Sequence, residues 1–172
     1  NNVFKLEPGH FILVKNNCFT INKYWDLPEI DESNLERRKS HVYERFQELF
    51  EDSIRIRMRC DVPFGAFLSG GLDSGIIASI ASKYNSENLN ALSIYFDEKE
   101  YSEKKYQDIL INKLNCNSHQ LLLKEEEFHK SFISILDSMD MPSCDGINTW
   151  FISKYASING FKAVLSGLGG DE

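Results

Sequence analysis

The sequence predicts an α/β fold: a doubly wound, mainly parallel sheet preceded by a short β-hairpin. Three observations predict it. From Val62 onward, short apolar runs alternate with stretches whose apolar residues recur at helical spacing. Two of the strand runs end in glycine-rich turns. The composition can also fill a core. Of 172 residues 42% are apolar, with 12 Phe, 7 Tyr and 2 Trp, and a chain this long buries roughly two thirds of its unfolded surface.

The elements follow in order. Phe11–Val14 is a strand run entered through a Pro8-Gly9 turn. Lys15-Asn16-Asn17 is a polar turn, and residues 18–25 form a second run, giving a hairpin over 1–25. A lone hairpin is marginally stable in water, so this one needs something to dock on or to belong to. Residues 26–33, with Pro28, read as a linker. Ser33 and Glu36 have capping-box spacing and open a helix that runs to about Arg59. Its stripe is Leu35, Val42, Phe46, Leu49, Phe50 and Ile54. Arg55, Arg57 and Arg59 suit the negative end of that helix and read as solvated.

Phe64–Leu68 is the next strand, followed by a helix over 75–84 marked by Ile76, Ile77, Ile80, Ala81 and Tyr84. Ala91–Phe96 is a strand, and Tyr106, Ile109, Leu110 and Leu114 mark a helix. Gln120–Leu123 is a third strand. Phe128, Phe132, Ile135, Leu136 and Met139 form a helical stripe that Pro142 and Gly146 break. Ile147, Trp150, Phe151, Tyr155 and Ile158 mark a last helix, stopped by Asn159-Gly160, and Phe161–Leu165 is the fourth strand. The order β-α-β-α-β-α-α-β implies right-handed crossovers and helices on both sheet faces.

Charge and cysteine usage narrow the function. Lys+Arg is 19 against 26 Asp+Glu, a net charge of −7, which argues against a surface-wide grip on nucleic acid. A single nucleotide remains compatible, because backbone N–H groups and a metal ion can hold it. No apolar run approaches the roughly 20 residues of a membrane span, and no signal-peptide pattern opens the chain. Cys18, Cys60, Cys116 and Cys144 lie far apart and read as reduced thiols of a cytoplasmic protein. His10, His41, His119 and His129 are equally scattered, and His119 reads as structural.

Ligands of open α/β sheets bind beyond the carboxyl ends of the strands. Ser69-Gly70-Gly71-Leu72-Asp73-Ser74 occupies such a place between a strand and a helix. Adjacent glycines let the backbone approach a ligand, and successive N–H groups at a helix start form an anion nest. Asp73 would repel a bare phosphate, so its presence calls for Mg²⁺ between the carboxylate and phosphate oxygens. A glycine-rich turn arising by chance is the plain alternative. Average residue usage gives this pattern in on the order of one in a few thousand chains of this length. The loop is neither a Walker A sequence nor G-x-G-x-x-G. Ser166-Gly167-Leu168-Gly169-Gly170-Asp171-Glu172 follows the fourth strand in the same style. If the two strands are neighbours, Asp73 and Asp171 could face one cleft and share Mg²⁺.

The segment 69–74 resembles the pyrophosphate-binding loop of the N-type ATP pyrophosphatases. Residues 62–74 and 164–172, with Tyr101-Ser102-Glu103 and 142–154, resemble glutamine-dependent asparagine synthetases. The hairpin ending at Tyr24-Trp25 resembles the tail of that family's glutaminase domain, and 34–172 the first part of its synthetase domain. The resemblance implies a PP-loop fold of the adenine-nucleotide hydrolase type, and ATP and Mg²⁺ as cofactors. It also implies an AMP-forming ligase that adenylates aspartate and amidates it with ammonia derived from glutamine. By position, Ser69, Gly70, Gly71, Asp73 and Ser74 would hold pyrophosphate. Ile94 would meet adenine through its backbone, with Phe67 and Leu68 lining the pocket. Ser166 and Gly167 would lie near the α-phosphate, and Asp73 and Asp171 would be catalytic and would ligate Mg²⁺. Small molecules are the expected partners, with no nucleic acid, no membrane and a possible homodimer.

Three departures stand out. Leu168 takes the place of a glutamate thought to assist the ammonia step, and a leucine cannot move a proton. The resemblance also implies that a glutaminase domain and a C-terminal helical region lie outside these residues, so that this piece by itself would be inactive. The alternatives are a β-lactam synthetase-like enzyme, a tRNA-modifying adenylating enzyme of the same loop class, and a degenerate nucleotide-binding paralogue.

Overall fold

The computed structural model describes residues 3–29, 39–85, 87–98, 100, 102–141, 143 and 145–170. The proposed capping box at Ser33 and Glu36, the far end of the linker, Leu35, Tyr101, Pro142, Cys144, Asp171 and Glu172 lie outside the described residues. The chain divides into two compact units, residues 1–42 and 43–172.

The first unit contains an antiparallel hairpin of β1 (His10–Lys15) and β2 (Cys18–Lys23). Lys15 pairs with Cys18, so the turn is the two residues Asn16 and Asn17, both left-handed at φ 49° and 64°. Asparagine tolerates that region, and two such residues match the twist of the strands. Gly9, at φ 67°, accepts from the Tyr24 and Trp25 amides through its carbonyl and closes the open end. Phe11, Leu13, Val14, Phe19 and Ile21 are all exposed.

The second unit carries a four-stranded parallel sheet in the order β5-β4-β3-β6. The strands are β3 (Phe64–Phe67), β4 (Asn90–Phe96), β5 (Asn117–Leu123) and β6 (Ala163–Leu165). The helices are α1 (Lys39–Arg57), α2 (Leu72–Tyr84), α3 (Lys104–Leu114), α4 (Glu125–Asp137) and α5 (Gly146–Ile158). One core cluster joins α1, α2 and α3 to the sheet around Ile54, Ala66, Leu68, Ala81 and Ala91. A second joins α4 and α5 to Ile94, Phe96 and Leu123 around Ile135 and Phe151. Ala91 and Ile94 point to opposite sides of β4, so the sheet is covered on both faces. The predicted fold class and element order are both observed.

Several details differ from the sequence expectation. Helix α2 starts at Leu72 rather than Gly75, which places Asp73 and Ser74 inside its first turn. β5 begins at Asn117, because β4 pairs with it along its whole length from Asn90 to Phe96. On α1 Phe50 and Ile54 join the core, with Met58 just beyond the helix, while Val42, Phe46 and Leu49 are exposed. On α3 half of the expected stripe holds: Leu110 and Leu114 pack on the core, whereas Tyr106 and Ile109 are exposed and Gln107 and Ile111 are buried instead. His119 is structural as expected, with Nε2 3.3 Å from Asn90 Oδ1 and its ring edge-on to Phe161.

Gly65 sits in the middle of the sheet, where a Cβ would lie 2.3 Å from Leu92 Cδ1 and 3.0 Å from the Asn90 carbonyl oxygen. Overpacking of this kind costs typically about 1–3 kcal/mol. Gly65→Val is expected to lower the urea midpoint accordingly, whereas a change at the exposed Ile109 should leave it nearly unmoved.

Candidate functional site

The strand order reverses at β3. The chain steps outward from β3 to β4 and β5, then returns to place β6 on the other side of β3. In doubly wound sheets this switch point opens a crevice at the carboxyl ends of the strands. The two glycine turns emerge there side by side, one after β3 and one after β6.

The first turn is built around a helix head. Gly71 is the N-cap of α2 and offers no side-chain cap, so the first amides of the helix remain free donors. Asp73 lies in that first turn, where a carboxylate suits the positive end of the helix. The serines organise the loop backbone. Ser69 Oγ accepts from the Gly71 amide at 3.2 Å, and Ser74 Oγ accepts from the Ser69 amide at 3.2 Å. The two hydroxyls lie 2.9 Å apart, and Ser74 Oγ donates to the Gly71 carbonyl at 3.3 Å. Gly70 adopts φ 97°, a region that disfavours side chains. It turns away from the cleft, and a Cβ there would meet the Glu103 carbonyl oxygen and Tyr106 Cβ at 3.2 Å.

The second turn presses on the first. A Cβ at Gly167 would sit 2.8 Å from the Ser74 amide nitrogen and 3.1 Å from the Asp73 carbonyl carbon. A Cβ at Gly170 would sit 3.3 Å from Asp73 Cβ. Glycine is required at 167 because one backbone runs directly over the other. The structure thus brings Ser69, Gly71, Asp73, Ser74, Ile94, Ser166 and Gly167 to one cleft of about 620 Å³, with Phe67, Leu68 and Leu168 in its walls. Asp171 lies outside the described residues.

Sequence reasoning missed the rest of the cleft. Glu103 and Gln107 contribute from α3, and Asp145, Asn148, Thr149 and Ile152 from the start of α5. Ile147, Trp150 and Phe151 of α5 pack into the core, which leaves Asn148 and Thr149, between Ile147 and Trp150, for the opening. The signals available were the family resemblance of 101–103 and 142–154 and an asparagine and a threonine early in a helical stripe. The Ile94 carbonyl accepts from Gln107 Nε2 at 2.9 Å.

The residues present fit a polyphosphate with a divalent ion. Uncapped amides and glycines shape a cradle that a Cβ would fill. No cluster of three or more metal-ligating side chains occurs among the described residues. Mg²⁺ binds through one or two carboxylates plus phosphate oxygens, and Asp73 in the cleft is one such carboxylate. Among the described residues, no helix is long and apolar enough to cross a membrane.

A protein of Methanocaldococcus jannaschii named "Putative asparagine synthetase (glutamine-hydrolyzing) 2" is 34% identical over 176 residues, covering 99% of this chain and 33% of its own length. Asparagine synthetase (glutamine-hydrolyzing) 1 of Bacillus subtilis is 28% identical over 173 residues, covering 99% and 27%. Among solved structures, the NH3-dependent NAD synthetase of Campylobacter jejuni aligns with a TM-score of 0.47 at 15% identity, over 70% of this chain and 55% of that one. The chain therefore spans about a quarter to a third of the length of these curated relatives. The Asparagine synthase profile matches residues 45–172, a stretch that takes in the whole parallel sheet and both glycine turns, and the chain belongs to the asparagine synthase family.

Proposed function

We propose that these residues form the nucleotide-binding part of an ATP-dependent, AMP-forming amide ligase of the asparagine synthetase type. In the full-length protein, aspartate would be joined to ammonia from glutamine, with ATP cleaved between its α- and β-phosphates. The observation that supports this best is the backbone contact of Gly167 with Ser74 and Asp73 over the uncapped head of α2. It makes one pocket of two turns that lie nearly a hundred residues apart.

On this reading the free amides at the head of α2 hold the leaving pyrophosphate. Ser69 and Ser74, already hydrogen-bonded to each other, keep those amides convergent. Asp73 carries the divalent ion, together with Asp171 from the second turn. Mg²⁺ supplies charge neutralisation for the departing pyrophosphate. Phe67, Leu68 and Ile94 form the apolar wall for the base, and Ser166-Gly167 lie by the α-phosphate. Asn148 and Thr149 are the neutral polar groups left to hold the carboxylate substrate. Leu168 is 77% exposed in the cleft wall and brings no proton-transfer group to it. Asp145 and Glu103 are the described cleft carboxylates free to take the proton of the ammonia step. The hairpin reads as the tail of a glutaminase domain, and the compartment as the cytoplasm.

Three outcomes test the reading. Full-length protein should bind ATP in a Mg²⁺-dependent manner and release pyrophosphate only when aspartate is added; pyrophosphate release driven by a different carboxylate would reassign the substrate. Asp73→Asn and Gly167→Val should each weaken Mg²⁺-ATP binding at least tenfold by calorimetry, the first through the ion and the second by wedging the turns apart. Asn148→Ala should raise the KM for the carboxylate substrate severalfold and leave ATP affinity within about twofold, since it lies on the α5 side of the pocket; equal losses for both substrates would contradict that division.

A further inference from the structure

Gln107 is an amide in a position that helical periodicity reserves for an apolar side chain. It is 1% exposed and lies among the largest fully buried side chains described. Its Nε2 donates to two carbonyls at once, Ser69 at 3.1 Å and Ile94 at 2.9 Å. Those carbonyls belong to the carboxyl-terminal reaches of the adjacent strands β3 and β4, and Ser69 is the first residue of the glycine turn. Gln107 Oε1 is buried and has no partner, although the residue lines the cleft. A buried acceptor without a donor is unfavourable, and a leucine or methionine would avoid it. The amide therefore serves a purpose other than packing.

The rest of α3 is fitted to the same segment. Glu103 and Tyr106 close on Gly70, Gln107 bonds to Ser69, and a Cβ on Gly75 would lie 3.3 Å from Leu110 Cδ1. Positions 103, 106, 107 and 110 share one helical face. That face tracks the turn from its first residue into α2.

We propose that Gln107 is a positioning residue: its amide ties the ends of β3 and β4 together and fixes the entry of the 69–74 turn, so that the amides at the head of α2 stay converged on an anion. The consequence for binding rests on the nucleotide reading above, while the tie itself does not. The test uses the full-length protein and the variants Gln107→Leu and Gln107→Met, with Gln107→Glu keeping the shape but losing the donor. Amide hydrogen exchange is followed at residues 69–74, and affinity is measured with Mg²⁺-ATP. In the apolar variants, exchange at 69–74 should rise at least fivefold, and Mg²⁺-ATP affinity should fall at least fivefold. The urea midpoint should stay close to that of the parent, because losing the orphaned acceptor offsets the two carbonyls that lose their donor. Gln107→Glu should show the same local loosening. Unchanged exchange and affinity in the apolar variants would overturn the proposal. So would a lowered midpoint with exchange raised evenly along the chain, the pattern of a packing residue. If the parent does not bind Mg²⁺-ATP yet exchange still rises at 69–74 alone, the nucleotide reading fails and the tie stands.

Discussion

Backbone contact between two turns is the constraint on which the site depends. Gly167 must pass within van der Waals distance of the Ser74 amide, and only the strand order makes this possible. β6 enters the sheet beside β3 after the chain has already laid down β4 and β5 on the far side. The crossover from β5 to β6 uses two helices, α4 and α5, and the second of these supplies Asp145, Asn148 and Thr149 to the opening. One topological step therefore sets both the meeting of the turns and the polar wall beside them.

Packing keeps that arrangement in place. Ala66 on β3, Leu68 just beyond its end and Ala91 on β4 are fully buried beneath α2 and α3, with Ala78 and Ala81 facing them. Small residues at this junction let the helices approach closely. Burial of side chains such as Leu68 and Leu92 stabilises the sheet by roughly 1.5–3 kcal/mol each. Ser93 adds a buried tie, its hydroxyl donating to the Leu68 carbonyl at 2.7 Å. With the Leu68 amide on Leu92 and Gln107 on Ser69, three successive levels pin the end of β3 to β4 before the turn begins. The turn starts from a rigid platform, which is what an anion site made of amides requires.

Much of the fold was legible in the sequence because strand runs and helical stripes have distinct periods. The glycine turns were legible because Gly70 and Gly167 have uses that few other residues could fill. The start of α2 was misplaced at Gly75, since Gly71 as N-cap carries none of the usual Ser, Thr, Asp or Asn signal. The face of α3 was misread for a related reason. Periodicity assigns buried positions to apolar residues, and here the buried position is Gln107, whose value lies in two carbonyls far away in sequence. Asp145, Asn148 and Thr149 lay in a stretch with a family resemblance but were not assigned to the cleft, because a polar residue on a helix looks the same whether it faces water or a cleft. Long-range contact, rather than local pattern, decides such residues.

The electrostatics of the cleft lead to a last step. Its lining contains Asp73, Glu103 and Asp145 and, among the described residues, no Lys or Arg. At an effective dielectric of about 20, two like charges some 5 Å apart repel by about 3 kcal/mol, and a polyphosphate brings several charges. Helix-head amides offset this only in part, since a helix end stabilises an anion by roughly 0.3–1 kcal/mol in exposed settings. A cleft of this composition would favour a metal–nucleotide complex over the free nucleotide. On the proposed function, the carboxylate at 73, which looks misplaced for an anion site, would couple anion binding to a divalent ion. The overall charge of −7 is compatible with that proposal, because the attraction would be local and would come from amides and the ion rather than from a basic surface.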